Sequence, residues 1–314
     1  MNHKKRVIAL GFFDGFHIGH AALLKRTIEV GAERGLVPSV MTFDTHPHSF
    51  VTDTPQLLIN STEDRANLLH RIFGIDDIIF LHFNKETAVM RWDIFIDNLA
   101  HEFGAEYVIA GYDYRFGRYG AGNAKLLEQK CAEQGIGCDI IPEVRIDGIA
   151  VSSSYVRELI ANGNMDRASA FLGHPHVLTD IVRQGYRFGR TLGTPTINMS
   201  FGNGVLIPAF GVYAVKVFLD DGSEHIGITN ISAGEKSPIH HNSQGADKTE
   251  QVTAETHILD FRGNLYGHRV RIEFHKHLRP EIEFNDSTTL INQIQKDCSA
   301  AKIYFSKREA QKNT

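Results

Sequence analysis

In the first half of the chain, apolar and β-branched residues gather in short runs separated by longer stretches of mixed polarity. Val7 to Leu10, then 38–43, 77–83, 107–110 and 138–143, read as strands of a buried sheet. The stretches between them, at 21–26, 65–73, 92–103 and 123–135, have helix-forming composition or an apolar face at helical spacing. Strands alternating with helices predict a Rossmann-like α/β unit, a parallel sheet with helices on both faces. Ligands of such sheets sit beyond the carboxyl ends of the strands. Two further helices are expected at 155–162 and 165–172. Beyond them the pattern shifts to short alternating strands at 177–183, 211–219, 224–230, 251–260 and 268–277, with a closing helix from 288 to about 306. This predicts a β-barrel with a terminal helix. The expected domains are therefore 1–173 and 174–314.

Composition narrows the class without choosing a function. The 314 residues are enough for two domains, and 42% hydrophobic with 22% charged residues is ordinary for a soluble globular protein. A net charge of −4 argues against general nucleic-acid binding, which calls for a basic face. Cys131, Cys138 and Cys298 have no C-x-x-C spacing and suit a reducing compartment. The basic start is followed by only four apolar residues before Gly11, and no run of ~20 apolar residues occurs, so neither a secretory leader nor a membrane span is expected. A cytoplasmic protein acting on small molecules, monomeric or weakly homo-oligomeric, is the expectation.

The candidate chemistry starts where the first strand ends. Gly11-Phe12-Phe13-Asp14-Gly15 is a glycine turn, and His17-x-Gly19-His20 opens the next helix. Such a turn aims backbone N–H groups and the positive end of a helix dipole at one spot, which suits a phosphate. If the helix starts near Phe16, the i, i+3 spacing puts His17 and His20 on the same face, where both can donate to phosphate oxygens. A plain strand–turn–helix with two surface histidines is the alternative for this element taken alone. After the fourth strand comes Gly111-x-Asp113-Tyr114-Arg115-Phe116-Gly117, whose Asp113 and Arg115 could equally form a loop ion pair. Ser152-Ser153-Ser154 precedes a helix that carries Arg157, either as a serine cap or as a phosphate cradle. In the second half, Gly185-x-x-x-Gly189-Arg190-x-Leu192-Gly193-x-Pro195-Thr196-x-Asn198 is followed by Glu255-Thr256-His257 and by Leu278-Arg279-Pro280. If extended, the 196–198 segment points Thr196 and Asn198 the same way, and two neutral oxygens on one face suit magnesium.

In this order and spacing, the first three motifs resemble the bacterial FAD synthetases of the H-x-G-H nucleotidyltransferase superfamily, and the later ones resemble riboflavin kinase. The chain is thus similar from end to end to the bifunctional riboflavin kinase/FAD synthetase family. The resemblance implies phosphorylation of riboflavin to FMN and adenylylation of FMN to FAD, with ATP as co-substrate and Mg2+ as the metal. It assigns His17, His20 and Glu255 to catalysis and Thr196 and Asn198 to the metal. Substrate binding falls to Gly11, Phe12, Asp14, Gly19, Asp113, Arg115, Ser152, Ser153, Ser154, Arg157, Gly189, Arg190, Gly193 and Arg279. For Arg279 a structural ion pair is an equal alternative. The chain departs from the pattern at Asp180, where Gly is usual, at His174-Pro175-His176, and across 230–248. The rival expectation is an FMN adenylyltransferase whose barrel only binds flavin.

Overall fold

The computed structural model describes residues 4–44, 56–184, 194–233 and 252–312. The chain divides into two compact units, Met1–Tyr155 and Val156–Thr314. In the first, β1 (Arg6–Leu10), β2 (Val37–Phe43), β3 (Asp77–Leu81), β4 (Ala105–Gly111) and β5 (Gly137–Ile141) form one parallel sheet in the order β3-β2-β1-β4-β5. The helices are α1 (Ile18–Arg34), α2 (Thr62–Leu68, running on into a π-turn at Leu69–Phe73), α3 (Lys85–Val89), α4 (Trp92–His101) and α5 (Ala124–Glu133). A short hairpin, β6 (Arg145–Ile146) with β7 (Ile149–Ala150), follows β5.

Ile8 and Leu10 of β1 and Val108 and Ala110 of β4 pack under Ile96 and Leu99 of α4 and Leu127 and Cys131 of α5. Val7 and Ala9 point to the opposite face and are fully buried as well, and α1 packs on β1, β2 and β4, so the runs are apolar because both faces of the sheet are covered. Strand order reverses between β1 and β4, so the turns after these two strands stand side by side at the switch point. The three cysteines are all free.

Helix α6 (Ser153–Ala161) leads into the second unit, where α7 (Met165–Leu172) packs on β8 and β13. Here β8 (His176–Ile181), β9 (Thr196–Ser200), β10 (Gly211–Phe218), β11 (Glu224–Ala233), β12 (Val252–Ile258) and β13 (Arg269–Arg279) form a curled antiparallel sheet in the order β8-β13-β10-β11-β12-β9. The expected β-barrel takes the form of this curled half-barrel sheet, with a sixth strand, β9, formed by the segment that carries Thr196 and Asn198. Its inner face buries Tyr213, Val215, Val217, Ile231, Ala254, Ile272 and Phe274. The buried hydroxyls of Thr229 and Thr256 satisfy each other there at 2.7 Å. On the outer face, Ala301 and Phe305 of the terminal helix α8 (Ser287–Lys312) cover Val212, Ala214 and Ile228.

His176 is wholly buried on β8, and neither ring nitrogen has a hydrogen-bond partner. Burial, with a smaller contribution from neighbouring His174, lowers its pKa to about 3. An unfolded histidine takes up a proton near 6.5, so between that pH and about 3 only the unfolded chain gains one. Stability then falls as pH drops through this window, by up to about 1.4 kcal/mol per unit. His176→Leu is expected to flatten that acid limb, measured as the urea midpoint between pH 7 and pH 4. Equal slopes in the two proteins would show that another group governs it.

Candidate functional sites

The turn after β1 is held from beneath. Asp14 is buried, and its carboxylate accepts the backbone N–H of Ile59 at 2.9 and 3.1 Å and that of Asn60 at 3.3 Å. The Phe12 carbonyl accepts from Thr42 Oγ1 at 2.7 Å and from Arg65 Nη1 at 2.9 Å, while Arg65 Nη2 donates to the Phe43 carbonyl at 2.7 Å. The buried Arg65 guanidinium also lies 4.8 Å over the Phe12 ring. Phe13 and Phe16 take positive φ values of 54° and 43°, a conformation that costs non-glycine residues energy and here turns both rings into the core. Gly11 lies against the Phe13 ring, where an added Cβ would stand 3.0 Å from two ring carbons. Asp14 is thus an anchor for the turn, bonded to amide hydrogens and unsuited to act as a base.

Helix α1 begins at Ile18, with His17 as its N-cap: His17 Nδ1 accepts the His20 backbone N–H at 3.2 Å. A neutral His17 then carries its proton on Nε2, as a donor. The two rings stack at 3.6 Å between centroids with 13° between planes, so the spacing does bring the histidines together. A Cβ at Gly19 would stand 3.1 Å from His17 Nδ1, so a side chain there would crowd the His17 ring. His20 Nδ1 is buried without a hydrogen-bond partner, and Phe13 packs edge-on to the ring at 5.1 Å. Burial and the adjacent His17 hold the His20 pKa well below 6.5, so the ring is neutral at pH 7.

The third motif reaches this turn directly: Ser153 Oγ donates to the Asp14 carbonyl at 3.0 Å, and Ser152 Oγ accepts from the Tyr155 N–H at 3.3 Å. Ser154 is exposed, and Arg157 follows one turn into α6. Asp113 and Arg115, on the loop after β4, are both exposed, and no ion pair joins them. Tyr114 between them stacks on Phe116 at 5.4 Å. Sequence reasoning missed Asn60. Its side chain is fully buried beside Asp14, and neither amide atom has a hydrogen-bond partner. No periodicity marks it; it is a lone Asn ahead of Ser61, which caps α2 by accepting the Asp64 N–H.

In the second unit the ladder lines up one row across five strands. Asn198 pairs with Glu255, Glu255 with Asn230, Asn230 with Val212, and Val212 with Arg279. Residues paired in an antiparallel ladder share a face, so Asn198, Glu255 and Asn230 stand side by side on the outer, half-exposed face. Thr196, two residues before Asn198, shares that face and pairs with His257. Four strand spacings of ~4.8 Å put Asn198 about 19 Å from Arg279 along the sheet. Arg279 is fully engaged there: Nε and Nη2 hold the buried Asp297 carboxylate of α8 at 2.8–3.1 Å, and Nη1 donates to the Pro280 carbonyl. Asn230, known from the sequence only as the start of the departing 230–248 segment, is the second residue not assigned to a site there. Gly189, Arg190 and Gly193 lie outside the described residues, as does 234–251. A cavity of about 150 Å³ lies beside Thr196, lined by Pro195, Ile258, Phe261, Leu265 and Tyr266.

Comparison with known proteins bears on both units. Residues 1–155 match the family model described as FAD synthetase, and residues 172–305 match the one described as riboflavin kinase. The chain is 34% identical to the bifunctional riboflavin kinase/FMN adenylyltransferase of Bacillus subtilis, over 96% of its own length and 93% of that protein. It is 32% identical to the protein of the same name from Listeria monocytogenes, covering 97% and 94%, and 32% identical to that of Escherichia coli K12, covering 95% and 92%. Among solved structures, a Streptococcus pneumoniae protein described as a macrolide-efflux protein shares the fold with a TM-score of 0.82, at 26% identity over 95% of this chain and 94% of that one. Among the described residues of this chain, no helix is long and apolar enough to cross a membrane.

Proposed function

The chain belongs to the bifunctional riboflavin kinase/FMN adenylyltransferase family, and we propose that its two halves divide the work by the charge of their substrates. The enzyme phosphorylates riboflavin to FMN and adenylylates FMN to FAD, using ATP in both steps. We assign the second step to residues 1–173 and the first to 174–314. One contrast carries the assignment: the first site gathers donors around a turn whose only carboxylate is tied to amides, whereas the second presents a carboxylate between two amide side chains.

FMN reaches the first site as a phosphate anion and needs no base. It must be held in line with the α-phosphorus of ATP while charge grows on the bridging oxygen and on departing pyrophosphate. His17 and His20 donate to those oxygens, the start of α1 adds its dipole, and the 152–154 serines with Arg157 brace the polyphosphate. Gly11, Phe12 and Gly19 form the turn on which it lies, and Asp113 and Arg115 contact flavin and nucleotide. At the second site the ribityl hydroxyl is neutral and must lose its proton as it attacks the γ-phosphorus. Glu255 accepts it. Thr196 and Asn198 would hold a magnesium ion, whose charge offsets that of the nucleotide phosphates. The fit rests on their chemistry, two hard neutral oxygens on one face beside a carboxylate, with water and phosphate left to complete the shell. The three free thiols suit a reducing compartment, and we place the enzyme in the cytoplasm, acting on small molecules as a monomer or weak homo-oligomer.

Incubating the purified protein with riboflavin, ATP and magnesium and resolving the flavins over time tests both halves. FMN that rises and then falls as FAD accumulates is the expected course. Conversion of supplied FMN without conversion of riboflavin would overturn the kinase half, and no turnover of either flavin would overturn both.

A further inference from the structure

The two edges of the second sheet, β8 and β9, meet at one backbone bridge among the described residues: the Arg183 N–H donates to the Asn198 carbonyl at 2.9 Å. An edge joined by a single bond leaves its other N–H and C=O groups to find partners elsewhere. Asp180 supplies them. Its Oδ2 accepts the Ser200 backbone N–H at 2.9 Å and lies 3.3 Å from the Ser200 hydroxyl. Both carboxylate oxygens also take the Arg183 guanidinium, at 2.6 and 3.1 Å, and Arg183 in turn donates to the Ser200 hydroxyl. One carboxylate is thereby bonded to the residue whose N–H holds Asn198 and to the residue two positions beyond Asn198 on the same strand.

We infer that Asp180 is a positioning residue of the kinase site, clasping β8 to β9 and so fixing Asn198 opposite Glu255. This rests on the roles proposed above for Asn198 and Glu255. The ion pair is the lesser part of the clasp. The Arg183 side chain is 56% exposed, and exposed pairs contribute little. The Asp180 side chain is only 16% exposed, so its bond to the Ser200 N–H is partly shielded, and removing the acceptor leaves a strand amide unpaired. Without it, the links of β9 to this edge among the described residues are the Arg183 N–H to Asn198 and the exposed Arg183 guanidinium to the Ser200 hydroxyl, and the Asn198 amide can drift from its place beside Glu255. Displacements of about 1 Å at such a site cost up to about 100-fold in rate.

Asp180→Ala is expected to lower the riboflavin kinase kcat about tenfold and to raise the magnesium concentration for half-maximal rate, with the riboflavin KM little changed. FMN adenylylation by the same protein should stay at the unmodified rate. Asp180→Asn keeps an oxygen for the Ser200 N–H and loses the charge, and should recover most of the kinase rate. Hydrogen exchange at the Ser200 amide should quicken in the Ala variant and not in the Asn variant. Unchanged kinase parameters in Asp180→Ala, a parallel loss of both activities, or an Asn variant as slow as the Ala variant would each overturn the inference. Glu255→Gln measured alongside separates the two levels: if that variant phosphorylates riboflavin normally, the kinase-site assignment itself has failed.

Discussion

His20→Ala will slow FMN adenylylation by about 100- to 1000-fold while riboflavin phosphorylation by the same chain proceeds at its normal rate. The size is that of removing one preorganised donor from a site where charge develops. The selectivity follows from the two chemistries having separate sets of groups, so the kinase rate serves as an internal control for folding. His20 fits the donor role because its Nδ1 is buried with no hydrogen-bond partner and its ring is fixed by stacking on His17 and by the edge of Phe13. Its lowered pKa keeps the resting ring neutral above pH 6.5, so it acts by hydrogen bonding rather than as a standing positive charge. The adenylylation rate should accordingly show no falling limb from His20 between pH 6.5 and 8. His17 has a second duty as the cap of α1, and a cap lost to Ala costs ~1 kcal/mol in stability. His17→Asn retains a capping side chain and isolates the loss of the donor. A loss below tenfold for His20→Ala, with FMN still bound, would remove it from the reaction.

How much of this could be read from the chain depends on the range of the interaction. The strand–turn–helix at 6–34 is local: apolar run, glycine turn and histidine pair are consecutive, although the helix starts at Ile18 rather than near Phe16, so the histidines stack with His17 as the cap and not as a helical residue. Asp14 was legible as a residue of the turn, but not as its anchor, because its partners at Ile59 and Asn60 come from a loop that no periodicity ties to it. Arg279 shows the same limit. Its type and neighbours allowed either a ligand contact or an ion pair, and only the packing of α8 on the sheet brings Asp297 to it. The departure at Asp180 was visible as an unusual residue and opaque as to purpose, since its partner Ser200 lies on the opposite edge of the sheet. Register explains the rest. Alternation in β12 puts Ala254, Thr256 and Ile258 inward and Glu255 outward, yet which residues flank Glu255 depends on how β9 and β11 slide against it.

That register makes Glu255→Gln the sharpest test of the kinase half. The substitution keeps size, strand and neighbours, and removes only the ability to take a proton, so Asn198 and Asn230 should remain where they are. Loss of a positioned general base costs roughly 100- to 10,000-fold, and the reaction most affected is the one whose nucleophile begins neutral. Riboflavin should therefore persist unphosphorylated in the presence of ATP and magnesium, while FMN supplied to the same tube is converted to FAD at the unmodified rate. The companion change, Asn198→Ala, leaves the base in place and removes an oxygen from the proposed metal face. It should act differently, raising the magnesium requirement more than it lowers the rate at saturating metal. If Glu255→Gln and Asn198→Ala instead gave the same modest loss with the same metal dependence, the carboxylate would be acting as part of the cation's surroundings rather than as the base. The ribityl proton would then have to leave directly to phosphate or to water, and the row across the sheet would bind without taking the proton.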